Sequence, residues 1–129
     1  ERALREIYLL GFELAVRQAQ PGAIMTSYNK INGVHTANSA DLCTKTAREQ
    51  WGFRGIIMTD WTTTNHDGGS SAAKCVAAGN DLTMPGLPSD IQEILLARRQ
   101  ENDQCLTAAQ LDACAKRVIA CVLRLQGQR

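Results

Sequence analysis

Gly55-Ile56-Ile57-Met58-Thr59-Asp60-Trp61 is the stretch on which the fold of this chain turns. Apolar residues of strand-forming type run straight into a carboxylate, an indole and a polar turn. The pattern predicts a buried strand over residues 55 to 60, with Asp60 at its carboxyl end. In folds of parallel strands joined by helices, that end carries the chemistry. A ring beside a carboxylate also suits a sugar. The indole covers the C–H face of a pyranose while the carboxylate addresses a polar or reacting carbon. The competing role is structural, because an Asp after a strand commonly caps the next turn. On this stretch alone the capping role carries more weight.

Upstream, Leu4, Ile7, Tyr8, Phe12, Ala15, Val16 and Ala19 fall on one stripe of a helix over residues 4 to 19, stopped by Pro21-Gly22. Ala23 to Ser27 reads as a short strand. Tyr28-Asn29-Lys30-Ile31-Asn32-Gly33 reads as a loop or tight turn marked by Asn-Gly. Asn38 or Ser39 is placed to cap a helix over about residues 40 to 50. Downstream of Asp60 come a polar loop from Thr62 to Ser70, a helix over 71 to 78 ending at Gly79, and a third strand, Asp81 to Met84, closed by Pro85-Gly86. Two capping boxes, Ser89-Asp90-Ile91-Gln92 and Thr107-Ala108-Ala109-Gln110, open two further helices. The second of these helices carries Leu111, Cys114, Val118, Cys121, Val122 and Leu125 on one stripe.

Strands separated by helices cannot pair as hairpins, so an α/β fold with about three parallel strands and a helical C-terminus is expected. Two architectures satisfy that order: a small three-layer domain, or part of a (β/α)8 TIM-type barrel. A full barrel takes roughly 250 residues, so 129 residues supply only part of one. No repeat or linker divides residues 1 to 129, which read as a single α/β segment.

Fourteen Lys and Arg are scattered among thirteen Asp and Glu. That balance offers no basic face for a nucleic acid and no polybasic membrane patch. No apolar run is long enough to span a bilayer. No Gly-rich phosphate loop follows a strand, so no nucleotide or other cofactor is expected. The five cysteines, Cys43, Cys75, Cys105, Cys114 and Cys121, include no Cys-x-x-Cys pair and read as buried, reduced thiols. The two histidines, His35 and His66, lie in separate loops, so no metal site is expected. Unpaired thiols and a charged N-terminus without signal-peptide architecture lean the compartment toward the cytoplasm and otherwise leave it open.

Four motifs in order carry a resemblance: Met25-Thr26-Ser27-Tyr28-Asn29-Lys30-Ile31-Asn32-Gly33, Arg48 to Gly55, Met58-Thr59-Asp60-Trp61, and Ala78 to Gly86. Together with the opening helix they cover residues 1 to about 87 and resemble glycoside hydrolase family three, the retaining β-glucosidases and β-xylosidases. The resemblance implies that Asp60 is the catalytic nucleophile and that Trp61 is the aromatic wall of the subsite. It implies that Tyr28 places its hydroxyl near the nucleophile and that Met25 lines the same pocket. The chemistry agrees: a retaining glycosidase needs one ionised carboxylate to attack the anomeric carbon and a second carboxylic acid to protonate the leaving oxygen. Taken singly, Tyr28, Met25 and Trp61 each read better as ordinary loop or packing residues, and only together does the functional set carry more weight.

The departures are as informative. The family's Lys-His pair and upstream Asp and Arg have no match, and its general acid belongs to a following domain. The chain is therefore expected to be a barrel fragment, poorly active or inactive alone, that self-associates or associates with the missing barrel segments and C-terminal domain. Glu49 reads as scaffold, Asp81 sits at the wrong end of its strand, and Asp67 is the one local candidate for a second acid. Thr62 stands where the commoner family pattern, Asp-Trp-Gly, has glycine. The substrate implied is a β-glycoside or oligosaccharide with a terminal β-linked glucose or related sugar. The rivals are a non-catalytic α/β remnant that binds carbohydrate or a partner polypeptide, and a small complete α/β domain of unrelated function.

Overall fold

In the computed structural model, which describes residues 1–65, 68–99 and 106–127, Ala23–Met25 (β1) lies parallel to Ile56–Met58 (β4). Ala23 pairs with Ile56, Ile24 with Ile57 and Met25 with Met58. Side chains alternate across a strand, and burial follows that alternation. Ile57 and Thr59 are fully buried, whereas Ile56, Met58 and Asp60 face the other side and are half-buried. Met25, Met58 and Asp60 thus share the less covered face.

The third strand expected over Asp81 to Met84 does not form. A single parallel bridge joins Leu82 to Met58, and Thr59 donates its backbone N–H to the Leu82 carbonyl at 3.0 Å. Two features prevent a ladder. Asp81 turns its carboxylate into a buried ion cluster, and Met84 gives its N–H to the Thr59 hydroxyl at 2.8 Å, not to a strand carbonyl. Parallel pairing is as expected, but among the described residues it comprises two short strands and one bridge. The Asn-Gly turn does more than link: Asn32 at φ 51° and Gly33 at φ 82° close an antiparallel hairpin of Lys30–Ile31 (β2) and Val34–His35 (β3).

The first helix divides into a wide turn, Leu4–Tyr8, with Leu9 N–H on the Leu4 carbonyl at 2.9 Å, and an α-helix, Leu10–Ala19 (α1). Asp41–Gln50 is likewise of the wide i→i+5 type, and the Ser39 hydroxyl accepts the Leu42 N–H near its start. Ala72–Ala78 (α2) runs from Ser71, which caps Lys74 N–H, to Gly79 at φ 102°. Pro88–Arg99 (α3) starts earlier than its expected capping box. Pro88 takes the first helical position, and Asp90, not Ser89, makes the capping bond, reaching back to the Leu87 N–H at 3.0 Å. The second box holds as read: Thr107 and Gln110 satisfy one another's N–H groups ahead of Ala108–Gly127 (α4). No helix among the described residues is long and apolar enough to cross a membrane.

Val16, Cys43, Ala47, Trp51, Phe53 and Ile57 form one core between α1, the wide helix and β4, and Val76, Leu106 and Cys114 form a second between α2 and α4. Much of the expected apolar stripe lies outside both. Tyr8 is 72% exposed on the first helix, and Leu125 is 61% exposed on α4. An apolar groove of about 450 Å³, lined by Phe12, Val16, Pro21, Ile24 and Met25, runs beside β1. A third feature is ionic. Asp81, whose side chain is fully buried, binds Arg48 at 2.7 Å and Arg117 at 2.6 Å, and accepts the Ile57 N–H at 2.9 Å.

Cys43, Cys75 and Cys114 are buried and unpaired, and Cys121 is partly buried, as expected; Cys105 lies outside the described residues. Burial pushes the Cys43 thiol up from an ordinary 9.0 to about 12, helped by Cys75. Burial likewise raises Cys75 to about 11, against its hydrogen bond with the Ser70 hydroxyl, which lowers it. The thiolate is the nucleophile, so iodoacetamide at pH 8 is expected to modify Cys121 and spare Cys43, Cys75 and Cys114 until denaturant is added. Peptide mass mapping checks this. Linkage gives the sign for stability: above pH 9 the unfolded thiols lose protons that the folded ones retain. Stability therefore falls as pH climbs from 9 toward 12.

Candidate active site

The carboxyl ends of β1, β4 and the Leu82 segment converge, because all three run in the same direction. Met25 ends β1, and Tyr28 follows three residues later; Met58 ends β4, and Asp60 follows two residues later. Thr59 fastens the β4 end from below. It is fully buried, its hydroxyl donates to the Asp60 carbonyl at 3.0 Å, and it accepts the Met84 N–H at 2.8 Å. The Asp60 side chain stays on the half-open face, where its Oδ1 accepts the Trp61 N–H at 2.7 Å. That bond is the turn-capping role expected of an Asp after a strand. It engages one carboxylate oxygen, so the capping and reactive roles are compatible at this residue.

Trp61 is 57% exposed, and Tyr28 is 45% exposed. An indole standing in solvent beside a carboxylate contributes nothing to either core, which sets it apart from packing residues such as Trp51. The Tyr28 hydroxyl donates to the Trp61 backbone carbonyl, so the loop after β1 and the loop after β4 meet directly. Met25 is exposed on the same side of the strand pair as Asp60, one layer deeper toward the strand register. The four candidates therefore stand at one end of the parallel pair. Asp67 and His66 lie outside the described residues.

Two further contributors are His35, which carried no signal in the sequence, and Thr62, which stood out there only as a departure from Asp-Trp-Gly. His35 is buried, and its ring nitrogens lie 3.2 Å from the Tyr28 carbonyl and 2.7 Å from the Gly68 carbonyl, joining the two loops a second time. Its place follows from the Asn-Gly hairpin, which folds residue 35 back beside residue 30. Thr62 adopts φ 58°, a left-handed conformation that costs a β-branched residue about 1–2 kcal/mol. Its N–H reaches the Met84 carbonyl at 2.8 Å. Beyond them, Asp90 and Glu93 on α3 hold the long loop at both ends. Asp90 accepts the Thr64 hydroxyl at 2.7 Å, and Glu93 accepts from Ser71 and the Ala72 N–H. Among the described residues, no cluster of three His, Cys, Asp or Glu side chains is arranged to hold a metal ion.

The sequence profile of the glycosyl hydrolase family 3 N terminal domain matches residues 1–121. The chain belongs to this family. A family 3 β-glucosidase from Bifidobacterium adolescentis is similar in structure, with a TM-score of 0.81 and 40% identity over 98% of this chain. A β-glucosidase of Rhizobium radiobacter is 43% identical over 97% of the chain. An exo-α-(1→6)-L-arabinopyranosidase of Bifidobacterium longum is 47% identical over 92% of it. The chain spans 14% of the length of each of the last two proteins and 18% of the solved one. Membership in family 3 removes the rival of an unrelated small α/β domain.

Proposed function

We propose that this chain forms the later β/α units of the catalytic (β/α)8 barrel of a retaining β-glycosidase, with residues 1–129 acting as one segment of that barrel. In this reading Asp60 is the nucleophile, Trp61 and Tyr28 form the wall of the subsite for the terminal sugar, and Met25 lines its floor. The observation that carries the reading is the meeting of Asp60, Trp61 and the Tyr28 hydroxyl at the carboxyl end of two parallel strands, in a chain of family 3. The groove beside β1 and the uncovered faces of the first helix and α4 agree with a segment whose neighbours complete the sheet.

The chemistry is a double displacement. An Asp60 carboxylate oxygen attacks the anomeric carbon as the glycosidic C–O bond breaks, and the leaving oxygen takes its proton from a carboxylic acid about 5 to 5.5 Å from Asp60. Water then cleaves the glycosyl ester and returns its proton to that acid. The described residues supply the nucleophile, and the acid comes from the rest of the enzyme. The substrate is a β-glycoside with a terminal glucose or closely related sugar. Its pyranose face lies on the indole, as the 57% exposure of Trp61 allows.

An activated 2-deoxy-2-fluoro-β-glucoside tests the reading, because it traps a retaining nucleophile with little help from the acid. Incubation with the chain, alone and reunited with the rest of its enzyme, followed by intact mass and peptide mapping, is expected to show one sugar ester-linked to Asp60. An adduct at another carboxylate, or none on the reunited protein, defeats the assignment.

A further inference from the structure

The peptide between Trp61 and Thr62 is strung between two other loops. In a trans peptide the C=O and N–H point in opposite directions. Here the Trp61 carbonyl accepts the Tyr28 hydroxyl from the loop after β1, while the Thr62 N–H donates to the Met84 carbonyl at 2.8 Å. One peptide plane, the one that follows Trp61, thus spans from Tyr28 to Met84. The angle φ of Thr62 sets how that plane stands relative to the chain that follows, and the value that satisfies both partners is 58°. Glycine takes such a φ freely, whereas a β-branched residue there is a strained outlier. Strain of that kind persists where surrounding contacts hold it. The contact that only a side chain supplies is also present: the Thr62 hydroxyl donates to the Trp61 carbonyl at 2.7 Å, joining Tyr28 on the same oxygen.

We propose that Thr62 is a positioning residue for Trp61, its hydroxyl locking the Trp61–Thr62 peptide so that the indole and Tyr28 hold one arrangement at the mouth of the site. The inference deepens the reading of Trp61 as the sugar-facing wall and rests on it for its catalytic consequence. The lock itself is a property of the fold. It also accounts for a threonine where a glycine would fit with less strain. The residue that follows Trp61 selects the orientation of the wall and, through it, how firmly the sugar is held before attack.

The test uses protein labelled with 5-fluorotryptophan, whose two 19F resonances report buried Trp51 and exposed Trp61; Trp61→Phe assigns them. Thr62→Ser keeps the hydroxyl and is expected to leave the Trp61 resonance in place. Thr62→Val keeps the branched strain without the donor, and Thr62→Gly relieves the strain without the donor. Both are expected to shift or narrow the Trp61 resonance toward that of the free amino acid while Trp51 stays fixed, and Thr62→Gly is expected to melt no lower than the parent. The rate of trapping by the 2-fluoro-glucoside is expected to fall about tenfold in the Val and Gly variants relative to Ser. If both variants leave the Trp61 resonance unchanged, the lock is refuted whatever the trapping shows. If the resonance responds as expected but the parent, reunited with the rest of its enzyme, forms no adduct on Asp60, the lock stands and the glycosidase reading is the part that fails.

Discussion

Asp60→Asn is expected to lower turnover of a terminal β-glucoside by the complete enzyme on the order of ten-thousandfold, as loss of a covalent nucleophile does elsewhere. The folding free energy should stay within about 0.5 kcal/mol of the parent. The two halves of this expectation come from the two jobs of the side chain. Its Oδ1 accepts the Trp61 N–H at 2.7 Å, and an amide oxygen accepts that bond equally well, so the turn survives. Attack on the anomeric carbon needs an anionic oxygen, which the amide lacks. Steady-state kinetics beside urea unfolding separates the effects. A variant that unfolds early would mean that the turn needs the charge of Asp60 as well as its Oδ1 bond to Trp61. One that retains turnover within tenfold would place the nucleophile at another residue.

Asp81→Ala is expected to destabilise the fold by about 3–5 kcal/mol, the range for removing one member of a buried ion pair. Asp81 binds Arg48 and Arg117, whose side chains are only 12% and 26% exposed, and its removal leaves two guanidinium groups crowded without a counter-charge. It also orphans the Ile57 N–H inside the sheet. Arg48 reaches further, donating to the Gly55 and Gly79 carbonyls at 3.0 Å each, so the loss spreads to the start of β4 and the end of α2. The cluster therefore ties the strand that carries Asp60 to the wide helix and to α4. Urea unfolding followed by far-ultraviolet circular dichroism measures the effect. A loss under about 1 kcal/mol would mean that the arginines find other partners. Asp81→Asn, which can keep the Ile57 bond, should lie between the parent and the alanine variant.

Local signals were enough for much of the chain. Helical stripes, Pro21-Gly22, Gly79 and the Thr107–Gln110 box act over a few residues, and the structure has those elements where the patterns put them. The four motifs were enough for the family, because each is a contiguous run. Contiguity also put Asp60 and Trp61 side by side at a strand end.

What the local patterns missed depends on partners distant in the chain. Asp81 opens a run that reads as a strand, but Arg48 and Arg117, thirty-three and thirty-six residues away, draw its carboxylate into a cluster, and one bridge remains of the ladder. The stripes of the first helix and α4 predict burial, but a stripe is buried only where another surface meets it, and Tyr8 and Leu125 have none among the described residues.

The amino-acid sequence by itself determined the family, the parallel pairing of β1 with β4 and the order of Tyr28, Asp60 and Trp61 along the chain. The tertiary structure alone decided that His35 bridges two loops, that Asp81 answers two arginines and that Thr62 sits at φ 58°. The physical reason is range. Periodicity, caps and turns are settled by neighbours within one or two helical turns. Ion pairs, carbonyl bridges and backbone strain are settled by whichever distant groups the fold brings within hydrogen-bonding reach.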